Sequence, residues 1–201
     1  MTAQIKLKHS GGNGVIIAAP SSNPAADRTL LLPGDGDSTI DTLGRAGNSL
    51  QVVQTVKTDT FTMTGTTFTD VTGLSVTITP SSSSSKVLII PSLSIGAKKG
   101  SRHGYRILRG STAIGVGDSS GSRTQYTQQA GNLNSDTAVD SNTFLFLDSP
   151  ATTSATTYKI QLRSETDTSG YEVYINRSDD DQDNASYGRS ASTITAIEVS
   201  A

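Results

Sequence analysis

The sequence contains no cysteine and no tryptophan, and only 5% of its 201 residues are aromatic. Without cysteine the chain forms neither disulfide bonds nor thiolate metal sites. So few aromatic side chains also argue against the deep aromatic-lined cleft of a polysaccharide-degrading enzyme. Only two histidines, His9 and His103, are available for acid–base chemistry. The sequence therefore predicts no enzymatic activity and no cofactor.

A serine-protease-like triad would have to use His103, which lies in the segment KKGSRHGYR. No G-x-S-x-G elbow accompanies it, so we expect an exposed loop histidine. The glycine-rich segment GVGDSSG lacks the lysine of a phosphate-binding loop and no helical pattern follows it. Both segments are interpreted as connections between strands.

The sequence also lacks a large excess of positive or negative charge, and it has no long apolar run. The formal net charge is −2 and the pI is about 5.6, which predicts no broad basic surface and no nucleic-acid partner. No run approaches the roughly 20 apolar residues that span a bilayer, so no membrane insertion is expected. The first residues, MTAQIKLKHSGG, lack the apolar core of a secretion signal. We expect synthesis in the cytoplasm of the producing cell.

What the chain does contain is serine, threonine and glycine, with valine, isoleucine and leucine alternating among them, which is typical of β-structure. Residues 74–95 show this most clearly. The segment LSVTIT alternates, SSSSS interrupts it, and the residues VLII that follow Lys86 are continuously apolar. This pattern predicts a hairpin whose second arm is buried on both faces.

Further strands follow at short intervals. Residues 144–147, FLFL, predict a central core strand, and YKIQLR places Tyr158, Ile160 and Leu162 inward. No window shows helical periodicity with caps. About ten strands in residues 50–201 predict an all-β fold, a jelly-roll-type antiparallel β-sandwich.

Residues 1–49 are interpreted as a separate attachment arm and linker. Three short strands, IKLKH, VIIAAP and RTLLLP, are followed by the polar, glycine-rich residues 34–49. Such small strands are marginal alone, so we expect them to lie against another subunit or protein. The apolar residues predicted to make this attachment are Ile5, Leu7, Val15, Ile17, Leu30 and Leu32.

The segment IKLKHSGGNGVIIAAPSSNPAADRTLLLP resembles the N-terminal part of fibre-like and decoration virion proteins of tailed bacteriophages, especially marine and cyanobacterial ones. The accompanying C-terminal module is similar to the segments LQVVQTVKTDTF, DVTGLSVTITPSSSSSKVLI, FLDSPATTSATTYKIQLRS and YINRSDDDQDNASYGRSASTITAIEV. The resemblance implies a homotrimeric virion structural protein that binds phage capsid or tail proteins. The implied strand layout of the module is similar to tumour-necrosis-factor and complement-type heads.

Charged clusters supply candidate sites. An acidic loop predicts either solvated carboxylates or a weak metal site at Asp179, Asp181 and Asp183. Alternatively, Asp180 and Asp181 meet a basic run on a neighbouring subunit and fix the register of assembly. That run includes Arg102, Arg106 and Arg109, which are otherwise interpreted as outward residues of a strand.

The polar residues 118–142 form the longest irregular region of the predicted β-sandwich, residues 50–201. Gln125, Tyr126, Gln128 and Gln129 offer an aromatic ring and amide groups, which suits contact with a host saccharide or protein. A packed subunit contact is the equal alternative.

Together these features predict a trimeric virion protein with an outward head. A tail-fibre host-receptor-binding protein is the first alternative, and a polysaccharide depolymerase is a more remote one.

Overall fold

The structure, a computed structural model, describes residues 4–8, 11, 14–18, 46–131, 133–168 and 170–201. The chain divides into two units, Met1–Ile40 and Asp41–Ala201. None of the described residues lies in a helix. Accordingly, no helix capable of crossing a membrane occurs in this part of the chain.

The first unit contains an antiparallel pair of strands, β1 (Gln4–Lys8) and β2 (Gly14–Ala18). Ile5 lies opposite Ile17 and Leu7 opposite Val15. The first two predicted strands are therefore confirmed. The predicted third strand, with Leu30 and Leu32, lies outside the described residues.

The second unit is called the head here, and its described residues form strands and loops. The strands are β3 (Ser49–Lys57), β4 (Phe61–Met63), β5 (Thr69–Ile78), β6 (Lys86–Ala97), β7 (Arg102–Arg109), β8 (Thr112–Ile114), β9 (Gln128–Gly131), β10 (Val139–Thr143), β11 (Phe146–Asp148), β12 (Thr156–Ser164), β13 (Val173–Ile175) and β14 (Ser192–Val199).

These strands form two antiparallel sheets. The seven-stranded sheet has the order β3-β14-β6-β13-β4, with β10 and β11 also paired to β6. The five-stranded sheet has the order β5-β12-β7-β8, with β9 also paired to β7. Because β5, β6 and β7 alternate between the sheets, the connections cross the sandwich as they do in a jelly roll. The predicted fold class is confirmed.

The predicted hairpin in residues 74–95 is wrong. Strand β5 pairs with β12, whereas β6 pairs with β14 in the other sheet. The serine-rich loop between them crosses the end of the sandwich, where the Ser81 amide and hydroxyl both donate to Glu198 Oε1 at 2.7 Å. Alternation fixes which face of a strand is buried, but it does not select the partner strand.

The core lies between the two sheets and confirms the alternation predicted for β12. Tyr158, Ile160 and Leu162 are each fully buried. They pack against Leu74 of β5 and Ile89 of β6 in one apolar cluster. Burial of a side chain of this size stabilises the fold by about 1.5–3 kcal/mol.

The prediction of a central core strand at residues 144–147 is also wrong. In the seven-stranded sheet, β11 pairs with β6 alone. Phe144 and Phe146 pack against the core, but Leu145 and Leu147 are 61% and 48% exposed. The segment therefore buries one face and leaves the other on the surface, although all four residues are apolar.

Candidate functional site

One candidate site lies on the outer face of the five-stranded sheet, where the loop between β8 and β9 folds back over β7. Thr127 N donates to Tyr105 O at 2.9 Å, and Gly117 N donates to Tyr126 O at 3.1 Å. The Gln125 side chain donates to Gly117 O at 2.6 Å. These bonds fix the end of the loop and hold Tyr126 against the sheet.

Gly104 provides the seat for the Tyr126 ring. On β7 it lies between Gln129 of β9 and Arg163 of β12 in the strand register. A Cβ atom added at Gly104 would lie 2.4 Å from Tyr126 Cδ1. Because glycine has no side chain, the Tyr126 ring fills the space above Gly104, between Gln129 and Arg163.

Two aromatic rings and two arginines meet around this seat. The Tyr126 and Phe68 rings pack edge to face with centroids 5.4 Å apart. The Arg106 guanidinium lies 4.0 Å from the Phe68 ring centroid. Arg163 donates to the Tyr126 hydroxyl and, through Nε, to Thr66 O at 2.5 Å. We call Phe68, Arg106, Tyr126 and Arg163 the aromatic–arginine cluster.

Polar side chains extend the cluster along the same face. Arg106 Nε donates to Gln161 Oε1 at 2.8 Å, and the Gln161 amide donates to Asp70 at 2.6 Å. Lys159 also donates to Asp70 at 2.6 Å and, as the main cause, holds the pKa of that carboxyl below its usual value. Partial burial lowers the pKa of Arg106, which remains a permanent cation. The cluster is therefore anchored by charged hydrogen bonds.

A cavity of about 400 Å³ opens beside the cluster. Its volume falls within the range of small-ligand pockets. Glu165 accepts a hydrogen bond from Gln129 and lies 3.8 Å from Arg102 Nη1. The lining residues are Arg123, Thr124, Tyr126, Gln129, Arg163 and Glu165.

The four residues predicted to contact a partner have different structural roles. Tyr126 and Gln129 line the cavity. Gln128 accepts a hydrogen bond from the buried Tyr105 hydroxyl at 3.0 Å. Gln125 bonds within its own loop. Whether any of them contacts a receptor stays a prediction.

Sequence reasoning missed Phe68 and Arg163 as members of this site. Alternation in YKIQLR placed Arg163 on the outer face, which was an available signal. Nothing local indicates that residue 126 lies over the same face, because the loop returns only when β7 and β9 pair.

The predicted inter-subunit cations each have a partner within the chain. Arg102 lies near Glu165, and Arg106 stacks on Phe68. Arg109 Nη1 donates to the Asp148 carboxylate at 2.9 and 3.0 Å. Contacts between subunits at these positions stay a prediction.

The acidic loop is tied to its own surroundings. Asp179 accepts from the Tyr174 hydroxyl at 2.7 Å, and Asp180 accepts from the Tyr187 hydroxyl at 3.1 Å. Asp181 accepts from Arg189 Nη2 at 2.8 Å, and this hydrogen bond is the main reason that its pKa is lowered. Asp183 is exposed. Among the described residues, no three acidic or histidine side chains converge as a metal site would require.

His103 is not the exposed loop histidine that was predicted. It lies on β7, opposite Ser164 of β12 and Ala130 of β9, and is fully buried. Neither ring nitrogen has a hydrogen-bond partner among the described residues. Burial lowers the pKa of its imidazole from 6.5 to about 4, opposed by Asp140 and Glu165. Strand β7 begins at Arg102, so His103 shares the buried face of Tyr105 and Ile107.

A second candidate surface is an apolar stripe on the outer face of the seven-stranded sheet. Val52 of β3 lies opposite Ile197 of β14, Ile197 lies opposite Leu88 of β6, and Leu88 lies opposite Leu147 of β11. Val52 is 62% exposed and Leu147 is 48% exposed, while the two central residues are half-buried. We call these four residues the apolar stripe.

The stripe has further apolar neighbours and crosses most of the sheet. Adjacent strands lie about 4.8 Å apart, so the row extends roughly 14 Å. Ile90, two residues from Leu88, is half-buried beside the stripe, and Leu145, two residues from Leu147, is 61% exposed. Contiguous apolar side chains on a sheet surface mark a contact site more often than scattered ones do.

No protein-family model matches the chain, and no curated protein matches it. Among solved structures, the VP2 subviral particle of infectious bursal disease virus has a TM-score of 0.45 and 13% identity, covering 94% of this chain and 43% of that one. The Gx strain of infectious bursal disease virus gives 0.45 and 15%, covering 94% and 42%. T=1 particles derived from that virus give 0.40 and 13%, covering 94% and 46%. This chain thus spans less than half the length of these viral chains, and its fold assignment rests on its own strand order.

Proposed function

We propose that this chain is a bacteriophage virion structural protein, a short trimeric fibre or decoration protein. Its first unit, Met1–Ile40, forms the attachment arm, and the head projects outward. The apolar stripe carries this proposal, because a lone head would leave the stripe in water. The resemblance of residues 5–33 to tailed-phage virion proteins supports the virion setting.

Covering the stripe stabilises an assembly appreciably. Complete burial of a valine or leucine is worth about 1.5–3 kcal/mol, and the end residues of the stripe retain about half of that area. Each therefore contributes roughly 1 kcal/mol when a neighbouring copy covers it. These terms recur on every subunit and offset the entropy of association.

Identical copies suit this surface better than an unrelated partner. Each copy carries the same stripe, and a closed ring of subunits covers it on all of them. An open head-to-tail arrangement would leave the stripe of one terminal subunit exposed. The threefold number itself comes from the resemblance to trimeric phage proteins.

The arm suits attachment by strand addition. Within the described residues, the first unit is a two-stranded sheet of β1 and β2. Such a sheet is marginal alone and gains stability when its edges pair with another chain. Backbone hydrogen bonds then supply the contact without large side chains.

The assembly proposal is tested by placing charge in the stripe. In analytical ultracentrifugation, we expect the full chain to sediment as a trimer and Leu147→Lys to shift it towards monomer. Thr62→Lys, at an exposed position on β4 of the same sheet, is the matched control and should leave the mass unchanged. A monomeric wild-type chain, or a Leu147→Lys chain that keeps its full mass, would refute the proposal.

The virion role is tested by locating the chain in particles. The truncated chain should lack residues 1–45 and keep residues 46–201. Gly47 and Asn48 must be kept, because Gly47 N donates to Ser200 O and Ser200 N donates to Asn48 O within the head. We expect the truncated head to keep its oligomeric mass but to be absent from purified virions. The number of full-length chains in each virion then distinguishes a decoration protein, which is present in many copies, from a fibre, which is present in few.

A tail-fibre receptor-binding protein is the second candidate. The aromatic–arginine cluster and its cavity favour it, because they place rings, amides and cations together on a surface. Loss of adsorption on deletion of the gene would favour this role, whereas loss of particle stability alone would favour decoration.

A further inference from the structure

We infer that the cavity beside the aromatic–arginine cluster binds a carboxylated saccharide, with a hexuronic acid as the recognised unit. This goes beyond the proposed virion role and does not depend on assembly. Three properties of the cavity-lining residues support this inference: their charge, their free hydrogen-bonding groups, and the contacts that hold their side chains in place.

The charge of the lining favours an anion. Arg123 and Arg163 are the two cations that line the cavity, and Glu165 is the one carboxylate. Glu165 accepts a hydrogen bond from Gln129 and lies 3.8 Å from Arg102 Nη1, so its charge is partly offset. Asp167, another nearby acid, accepts from the Thr66 amide and hydroxyl.

The two guanidinium groups retain donors for a ligand. Arg123 Nη1 donates to Ser120, and Arg163 uses Nε and Nη1 for Thr66 and Tyr126. Within the described part of the chain, no partner occupies Nη2 of either arginine. A guanidinium fork matches the planar geometry of a carboxylate better than a lysine ammonium would.

The remaining lining suits a sugar ring. Tyr126 presents a half-buried ring, and Thr124 and Gln129 add a hydroxyl and an amide that can bond sugar hydroxyls. An acidic peptide would use the same cations but would leave the amide and hydroxyl groups less completely paired. A saccharide that carries a carboxylate uses both sets of groups.

The site is also held in place before a ligand arrives. Tyr126 is seated on Gly104 and bonded to Arg163, which is itself anchored at Thr66 O. Less side-chain freedom is therefore lost on binding than on a flexible loop. Several such sites on one particle would strengthen a weak single contact.

The test is titration calorimetry of the full chain with oligomers of galacturonic, glucuronic and mannuronic acid, each beside its methyl ester. We expect at least one acid oligomer to bind and its ester to bind roughly tenfold more weakly. Arg123→Ala should weaken binding of the acid by about tenfold, and Glu165→Gln should strengthen it. Lys86→Ala removes an exposed cation from the other sheet and should have no effect.

Several results would overturn the inference. These are no binding by any acid oligomer, equal binding of acid and ester, or no effect of Arg123→Ala in a chain with unchanged circular dichroism. Binding of a poly-glutamate peptide with no saccharide binding would assign the cavity to an acidic peptide instead. Because the measurement uses the purified chain, failure here leaves the virion proposal standing, and failure of assembly leaves this result intact.

Discussion

The buried imidazole of His103 predicts a specific loss of stability in mild acid. Its side chain lies in the core beside β12, and neither nitrogen is hydrogen-bonded within the described residues. A proton on this ring would place an unpaired charge in the core. The folded head therefore holds the pKa near 4, below the ordinary value of 6.5.

The sign and size of the effect follow from linkage. Between pH 6.5 and pH 4 the unfolded chain takes up a proton on this histidine while the folded chain does not. Stability is therefore complete above pH 6.5 and falls as pH decreases towards 4. With about 1.4 kcal/mol per pKa unit, the difference amounts to roughly 3 kcal/mol.

His103→Phe isolates this contribution, since it keeps a planar ring and removes the titration. Urea unfolding of both chains, at one protein concentration, should be measured at intervals from pH 4 to pH 6.5. Carboxylates titrate in both chains, so the difference between the curves reports His103. We expect the wild type to lose about 3 kcal/mol relative to the variant. Parallel curves would refute the argument that this imidazole is buried without a partner.

Two further predictions concern packing and a buried carboxylate. Gly104→Ala should displace the Tyr126 ring and lower the free energy of unfolding in urea by about 1–3 kcal/mol. The control Gly117→Ala should be neutral, because nothing lies within 4 Å of its added Cβ. Equal effects of the two substitutions would contradict the packing of Tyr126 on Gly104. Asp148→Asn should cost about 2 kcal/mol, because the buried Asp148 carboxylate accepts from Tyr158 Oη at 2.7 Å and its charge is lost; an unchanged denaturation midpoint would show that this bond adds little.

Local alternation was sufficient to identify the class of fold. It correctly placed Tyr158, Ile160 and Leu162 in the core, and no helix occurs among the described residues. It failed where both faces of a strand are apolar. Residues 144–147 have the composition of a buried strand, yet β11 pairs with β6 alone and exposes Leu147.

The candidate site could be predicted only in part. Residue types identified Tyr126 and Gln129 as suited to contact, and the structure places both at the cavity. Arg163, their neighbour at the cavity, lies more than 30 residues further along the chain. Arg163 meets Tyr126 and Gln129 only because β7 lies between β9 and β12. Pairing between distant strands is set by loop closure and packing of the whole head, which local patterns do not encode.

Composition and two-residue periodicity are local properties, and they were enough to identify a cysteine-free, strand-based chain with a distinct first segment. The pairing of strands within each sheet is visible only in the folded chain. That pairing brings together the four residues of the apolar stripe, Val52, Ile197, Leu88 and Leu147. The burial of His103 and the seat at Gly104 arose in the same way. Each depends on which distant segments pack side by side, and that choice is made by the free energy of the whole fold.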